Sequence, residues 1–312
     1  MPLNCSVCDN PVNLNDRFCE ACGSPIGGAV VDTDVRASTP LDRREVNLGP
    51  ELAAVSDRGL IHGQNEDAVA LLSAPPFAIL VVCDGVSTSQ DPALGSGTAA
   101  DATAQSLLQG VRAGKDPKAL MRAAILTGHE AICDLMPAGT GGDDRPLTTI
   151  VAALADSGTA TIGWAGDSRA YLLTGAGKLL TRDDSWVNWV VERGDMTEAQ
   201  AMRSANSHAI VHCLGDPDDP PEPHVVTATL STGERLLLCS DGLWNYAPTP
   251  SALMALTSVF SAATPAITVC QALVKFANSA GGRDNITAAM LIIPDDVPRH
   301  HREPRSRIAD DR

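Results

Sequence analysis

The sequence predicts an α+β fold in which β-sheets are covered by helices. Two patterns lead there. Short apolar runs rich in Val, Ile and Leu, bounded by Gly or Pro, recur between residues 52 and 293 and read as strands. Helical patterns do not alternate with them one for one, as a doubly wound parallel sheet requires. They come grouped, 95–112 with 116–136 and 251–261 with 264–279, which indicates packed layers. The 312 residues are 44 % hydrophobic, ample for a core, and with only 3 % aromatics that core is built mainly from Ala, Val, Leu and Ile.

In chain order, residues 1–26 come first, with four of the nine cysteines as Cys5-x2-Cys8 and Cys19-x2-Cys22. Each pair can present two thiolates on one knuckle, and four close a tetrahedral site, so the segment reads as a zinc ribbon with one structural Zn2+. So small a piece buries too little apolar surface to fold without its metal. Two disulfides are the plainer alternative, and the absence of an export signal disfavours them. Residues 27–50 mix Gly, Asp, Thr, Ser, Pro and Arg without periodicity and are expected to be a flexible linker.

A large domain follows over 51–294. Its expected strands are 52–57, 67–73, 77–83, 147–155, 159–165, 169–174, 223–230, 234–240 and 285–293. The first helix pair shows Leu107, Leu108 and Val111 on one face. Short helices are expected at 185–193 and 197–203, with Trp186 and Trp189 as packing residues. The tail 295–312 is charge-dense and expected to be disordered, its His300-His301 pair part of a solvated basic segment. Cys83, Cys133, Cys213, Cys239 and Cys270 are isolated and read as small buried hydrophobes.

A net charge of −15 argues against nucleic acid, whose phosphates demand cationic neutralisation. The apolar runs are too short to cross a membrane, so no membrane partner is expected. The N-terminus lacks the basic-then-apolar pattern of a secretory signal, and the expected location is cytoplasmic.

Four acidic segments carry the chemistry: Asn65-Glu66-Asp67, Val82-Cys83-Asp84-Gly85, Cys239-Ser240-Asp241-Gly242 and Gly282-Arg283-Asp284-Asn285. Three of them place a carboxylate at the end of a buried strand, a costly position unless a cation meets it. Oxygen-only, Asp-rich sites suit Mg2+ or Mn2+ rather than zinc. Taken singly, Asp-Gly is also a turn signal and Glu66-Asp67 a plausible surface pair.

Together with Ser56-Asp57-Arg58-Gly59 and Gly166-Asp167-Ser168-Arg169, these segments form an ordered series that resembles the metal-dependent, type 2C (PPM) serine/threonine protein phosphatases over roughly residues 51–294. The resemblance implies a four-layer αββα sandwich, two antiparallel sheets flanked by helix pairs, with two Mn2+ or Mg2+ at one end. It implies that Asp84 bridges both ions, that the Gly85 carbonyl binds one, and that Asp241 and Asp284 bind from the other side. Glu66 and Asp67 would act directly or through water. Glycine at 85 and 242 lets the backbone approach an ion closely. The implied reaction is hydrolysis of phosphoserine and phosphothreonine by in-line attack of a water bridging the ions. Asp167 is expected to be structural, fixing its hairpin.

Three positions depart from the family pattern. His62 stands where an arginine grips phosphate, so it is the candidate phosphate ligand, with Arg58 as the alternative donor. No histidine follows Asp84-Gly85 to serve as general acid. Asn245 replaces an acidic residue of a third, weaker ion site, to which Asp144, or its neighbour Asp143, can contribute. Phosphorylated proteins are the expected partners, with a serine/threonine kinase and its substrates among them. The alternative is an adaptor that keeps the fold and binds phosphoproteins without turnover.

Overall fold

The computed structural model describes residues 3–4, 11–12, 42–136, 144–156, 158–207 and 209–293. Strands β1 (Leu3–Asn4) and β2 (Pro11–Val12) pair antiparallel. Cys5, Cys8, Cys19 and Cys22, together with the 295–312 tail, lie outside the described residues.

The first half of the remaining chain forms β3 (Arg43–Asn47), β4 (Leu52–Asp57), β5 (Asp67–Ala74), β6 (Phe77–Asp84), α1 (Pro92–Arg112), α2 (Pro117–Cys133) and β7 (Ile150–Ala155). Then come β8 (Thr159–Ala165), β9 (Arg169–Leu173), β10 (Lys178–Leu179), α3 (Trp186–Glu192), α4 (Glu198–Ala201) and β11 (His224–Thr229). The last elements are β12 (Arg235–Cys239), α5 (Asp241–Trp244), α6 (Pro250–Thr257), α7 (Ala266–Ala280) and β13 (Ile286–Ile292).

Two antiparallel sheets result, in the orders β10-β9-β12-β13-β4-β3 and β11-β8-β7-β6-β5. Strand alternation assigns each side chain a layer. In β4, Leu52 and Ala54 face the other sheet, while Ala53 and Val55 face α7 and its neighbours. In β6, Leu80 and Val82 point into the space between the sheets, and Ile79, Val81 and Cys83 meet α1 and α2. Burial on both faces explains why these strands read as continuous apolar runs rather than alternating ones. The layers are therefore helix, sheet, sheet, helix, with α1 and α2 outside the smaller sheet and α6 and α7 outside the larger.

Local chemistry sets the helix ends. Asp116 caps α2 by accepting from the Ala119 N–H at 2.9 Å, and Pro117 follows at the first helical position. Small residues let α1 and α2 approach closely: a Cβ on Gly110 would lie 2.0 Å from Leu120 Cδ1.

One expectation is corrected here. Residues 43–47, assigned by composition to the linker, form β3, the edge strand paired to β4. Arg43, Glu45 and Asn47 face solvent and Arg43 pairs with Asp57 at 2.8 Å. A charged, polar outer face is what an edge strand uses to avoid pairing with other chains, and it masks the strand in a composition reading. The two-residue β10 and the single-turn α5 were also absent from the sequence reading.

Candidate metal centre

Strand register gathers the acidic motifs at one end of the sandwich. Antiparallel pairing sets Asp67, at the start of β5, opposite Asp84, at the end of β6. The end of β12 runs into Asp241, and the start of β13 follows Asp284, with Cys239 opposite Ala288. The end of β8 leads to Asp167. Like charges directly opposite one another in a sheet are destabilising, and here several strands add to the effect.

The electrostatics register that crowding. Burial first, offset by hydrogen bonds from Thr287 and Ser240, then Asp241 and Asp284, leaves the Asp67 carboxyl raised to about 7. Burial, with Asp67, Asp241 and Asp167 adding, pushes Asp84 well above the carboxylate range. Asp241 is raised to about 6, by burial and then Asp284, and its carboxyl hydrogen-bonds that of Asp84. Asp167 is raised to about 8 by burial and then Asp241.

Polar side chains of the larger sheet fix Asp67 in place. Ser240 Oγ and Thr287 Oγ1 each lie 2.7 Å from Asp67 Oδ2. Behind them, Ser56 Oγ lies 2.7 Å from Thr287 Oγ1 and accepts from Asn65 Nδ2 at 2.9 Å. Asp67 Oδ1, by contrast, is buried without a partner. Asn285 ties the loops together: its Oδ1 accepts from the Glu66 N–H at 2.7 Å, and its Nδ2 donates to the carbonyls of Arg58 and Gln64 at 2.8 and 3.1 Å. The Glu66 carboxylate accepts from Ser87 and from Gln64 Nε2.

His62 reaches this end of the sandwich, with Nε2 at 3.3 Å from Asp284 Oδ1. Arg58, the alternative phosphate donor, is engaged elsewhere: it pairs with Asp42 at 3.0 Å and donates to the His62 carbonyl. Asn245 donates to Asp241 Oδ2 at 3.1 Å. Asp144 is exposed on the turn before Leu147. Asp143 lies outside the described residues.

Asp167, expected from sequence to be structural, is buried at this same end of the sandwich, where burial and then Asp241 raise its carboxyl. The Gly-Asp pair looks like any turn, and it is the pairing of β9 with β12, Arg169 opposite Cys239, that brings Asp167 toward Asp241. Two glycines at this end also pack against backbone. A Cβ on Gly85 would lie 2.7 Å from the Pro92 carbonyl oxygen, and one on Gly242 would lie 1.9 Å from that of Asn285. Backbone is packed on backbone there, which requires glycine with or without an ion.

A second group holds α5 in position. Arg169 grips Asp183 through two bonds, at 2.9 and 2.7 Å, and its guanidinium lies 3.6 Å from the centre of the Trp244 ring. Trp244 Nε1 donates to the Asp167 carbonyl at 2.9 Å. The first and last residues of α5 are thus the acidic Asp241 and the clamped Trp244.

Among the described residues, no three His, Cys, Asp or Glu side chains are placed as they stand to hold a metal ion. The donor set nevertheless fits hard divalent cations: carboxylates held together against their repulsion, and a buried oxygen of Asp67 with nothing to bind.

No family model matches the chain. Serine/threonine protein phosphatase PstP of Mycobacterium tuberculosis is 30 % identical over 253 residues, which cover 80 % of this chain and 46 % of PstP. Serine/threonine phosphatase stp of Listeria monocytogenes is 29 % identical over 266 residues, covering 80 % of this chain and 97 % of stp. The chain thus spans about half the length of PstP, 46 %, and nearly all of stp. The crystal structure of the PstP catalytic domain with two manganese ions matches at a TM-score of 0.59 and 26 % identity, over 81 % of this chain and 99 % of that domain. In its two-sheet fold and in sequence the chain is thus similar to bacterial serine/threonine protein phosphatases.

Proposed function

We propose that the chain is a Mn2+- or Mg2+-dependent phosphatase that hydrolyses phosphoserine and phosphothreonine in proteins. The observation that carries this reading is the group of carboxylates at the sheet ends, raised by burial and then by one another, with Asp67 Oδ1 buried and unpaired among them. Asp84, Asp241, Asp284 and Asp67 would hold two ions, with Glu66 and the Gly85 carbonyl beside them. Such ions supply positive charge to the phosphoryl oxygens and an activated water.

The protein's own residues do the rest. Ser240, Thr287 and Asn285 orient the carboxylates. His62, when protonated, offers a cation toward the phosphate in place of the family's arginine, and its pairing with Asp284 keeps it at the site. For a third ion Asp144 stays the sequence candidate, and the buried Asp167, whose carboxyl Asp241 helps to raise, is a second one.

On cysteine spacing, Cys5, Cys8, Cys19 and Cys22 bind one structural Zn2+ in a ribbon that precedes the phosphatase domain. The net charge of −15 favours basic partners, a serine/threonine kinase among them. Among the described residues no helix is long and apolar enough to cross a membrane, and the proposed place of action is the cytoplasm.

The test is Mn2+-dependent phosphate release from a phosphothreonine peptide, wild type beside Asp241→Asn, with zinc measured on the same sample. The expected result is activity that requires Mn2+ and falls by about 10²-fold or more in the variant. A folded, zinc-loaded wild type that binds the phosphopeptide and releases no phosphate would identify an adaptor instead.

A further inference from the structure

Next to the metal centre lies a half-open cleft of about 340 Å³. One wall is Trp164, near the end of β8, whose ring stacks on His224 with centroids 5.1 Å apart. His224 Nε2 lies 2.9 Å from Asp184 Oδ1, and Asp184 Oδ2 accepts from the Gly166 N–H at 3.0 Å. The facing wall is α3, which contributes Trp189 and Glu192. Trp186 packs against a small apolar cluster, whereas Trp189, expected from sequence to pack likewise, is 42 % exposed. Burial does not explain Trp189.

The lining selects a class of ligand. The charged lining is Asp183, Asp184, Glu192 and Arg182, with His212 and His224 beside them. Asp183 is held by Arg169 and Asp184 by His224, which leaves the exposed Glu192 carboxylate and the exposed Trp189 ring as the groups open to a ligand. A flat cation can use that ring face and that carboxylate together. The chain already displays both contacts: the Arg193 guanidinium lies 4.5 Å from the centre of the Trp189 ring, and Arg182 pairs with Glu192. These two arginine side chains are 57 % and 56 % exposed, so their pairings contribute little and can be exchanged.

The cleft shares a wall with the catalytic end. Asp183, which lines it, holds Arg169, and Trp164 stands three residues before Asp167. Three residues span at most about 11 Å of chain. We infer that this cleft is a substrate subsite that receives an arginine side chain of the phosphoprotein, within about four residues of the phosphorylated one. The inference rests on the phosphatase reading above.

The experiment uses the full-length protein with Mn2+ and phosphothreonine peptides in which one arginine is walked through the flanking positions. Each peptide is paired with a twin carrying citrulline, which keeps the shape and removes the charge. At one or two positions arginine should lower KM about 5- to 10-fold relative to citrulline. Glu192→Gln and Trp189→Ala should each erase most of that difference. Turnover of p-nitrophenyl phosphate, which has no peptide, should stay unchanged in both variants. Equal KM for every arginine and citrulline pair, with normal p-nitrophenyl phosphate turnover, would overturn the subsite and leave the phosphatase standing. A preference that survives both substitutions would place the arginine elsewhere and overturn it as well. If no turnover occurs at all, the phosphatase reading fails. Peptide binding followed by tryptophan fluorescence then decides the subsite by the same comparison.

Discussion

At position 62 the chain carries an imidazole where its resemblance to the type 2C phosphatases implies a guanidinium, and its Nε2 lies 3.3 Å from Asp284 Oδ1. An arginine there is charged at every working pH and offers a forked set of donors. His62→Arg should therefore lower KM for a phosphopeptide severalfold, about 1 kcal/mol, and flatten its dependence on pH between about 6 and 9. Unchanged KM and pH dependence would show that His62 does not touch phosphate. The carboxylates make a second prediction. Asp241, Asp67 and Asp167 are raised to about 6, 7 and 8 in the ion-free protein, so the folded state binds protons that the unfolded state has already lost. Their stabilising contribution is complete below the ordinary carboxylate pKa and is lost as pH rises through these values. Thermal melts of the chelated protein should therefore show lower stability at pH 8 than at pH 5. Mn2+ should restore it at pH 8, because an ion that binds only the folded state stabilises that state. Equal melting temperatures at the two pH values without metal would contradict the crowding of these groups.

Among the elements, α5 depends most on its neighbours, since four residues do not make a stable helix alone. The Arg169 clamp on Trp244 and the tight Gly242 contact with Asn285 supply what the sequence of α5 lacks. Gly242→Ala should destabilise the protein by about 2 kcal/mol or more, measured by urea unfolding, because its Cβ would meet a backbone oxygen that cannot swing away. Arg169→Lys keeps the charge and loses the two-point grip on Asp183. It should raise the Mn2+ concentration needed for half-maximal activity while leaving the overall fold intact by circular dichroism. The long strands and the paired helices were legible because hydrophobic periodicity over six or more residues is a strong signal. β4 was read at its observed limits, and β5, β6, α1 and α2 to within a few residues. β3, β10 and α5 were not legible, because two are too short to carry a period and the third presents a charged outer face.

For the whole molecule, the ordered acidic motifs announced the site, yet their sequence positions could not say which carboxylates meet. Asp167 illustrates the gap, since its place in the group is a consequence of strand register rather than of its own motif. Glycine at 85 and 242 is likewise required by contact between loops that only the folded chain brings together. Elemental analysis offers a molecule-wide check on the ribbon. One zinc per chain is expected, lost in Cys19→Ser, with Mn2+-dependent turnover retained because the phosphatase domain has its own core. The polar bonds at the catalytic end have a further consequence. Between the two sheets the contacts are apolar almost throughout, but at this end Ser240, Thr287 and Asn285 of the larger sheet bond directly to Asp67 and Glu66 of the smaller. The sandwich is latched at one edge, like a book held at its spine. Amide hydrogen exchange in the Mn2+-loaded protein should accordingly begin at the far ends of the strands and reach the catalytic end last.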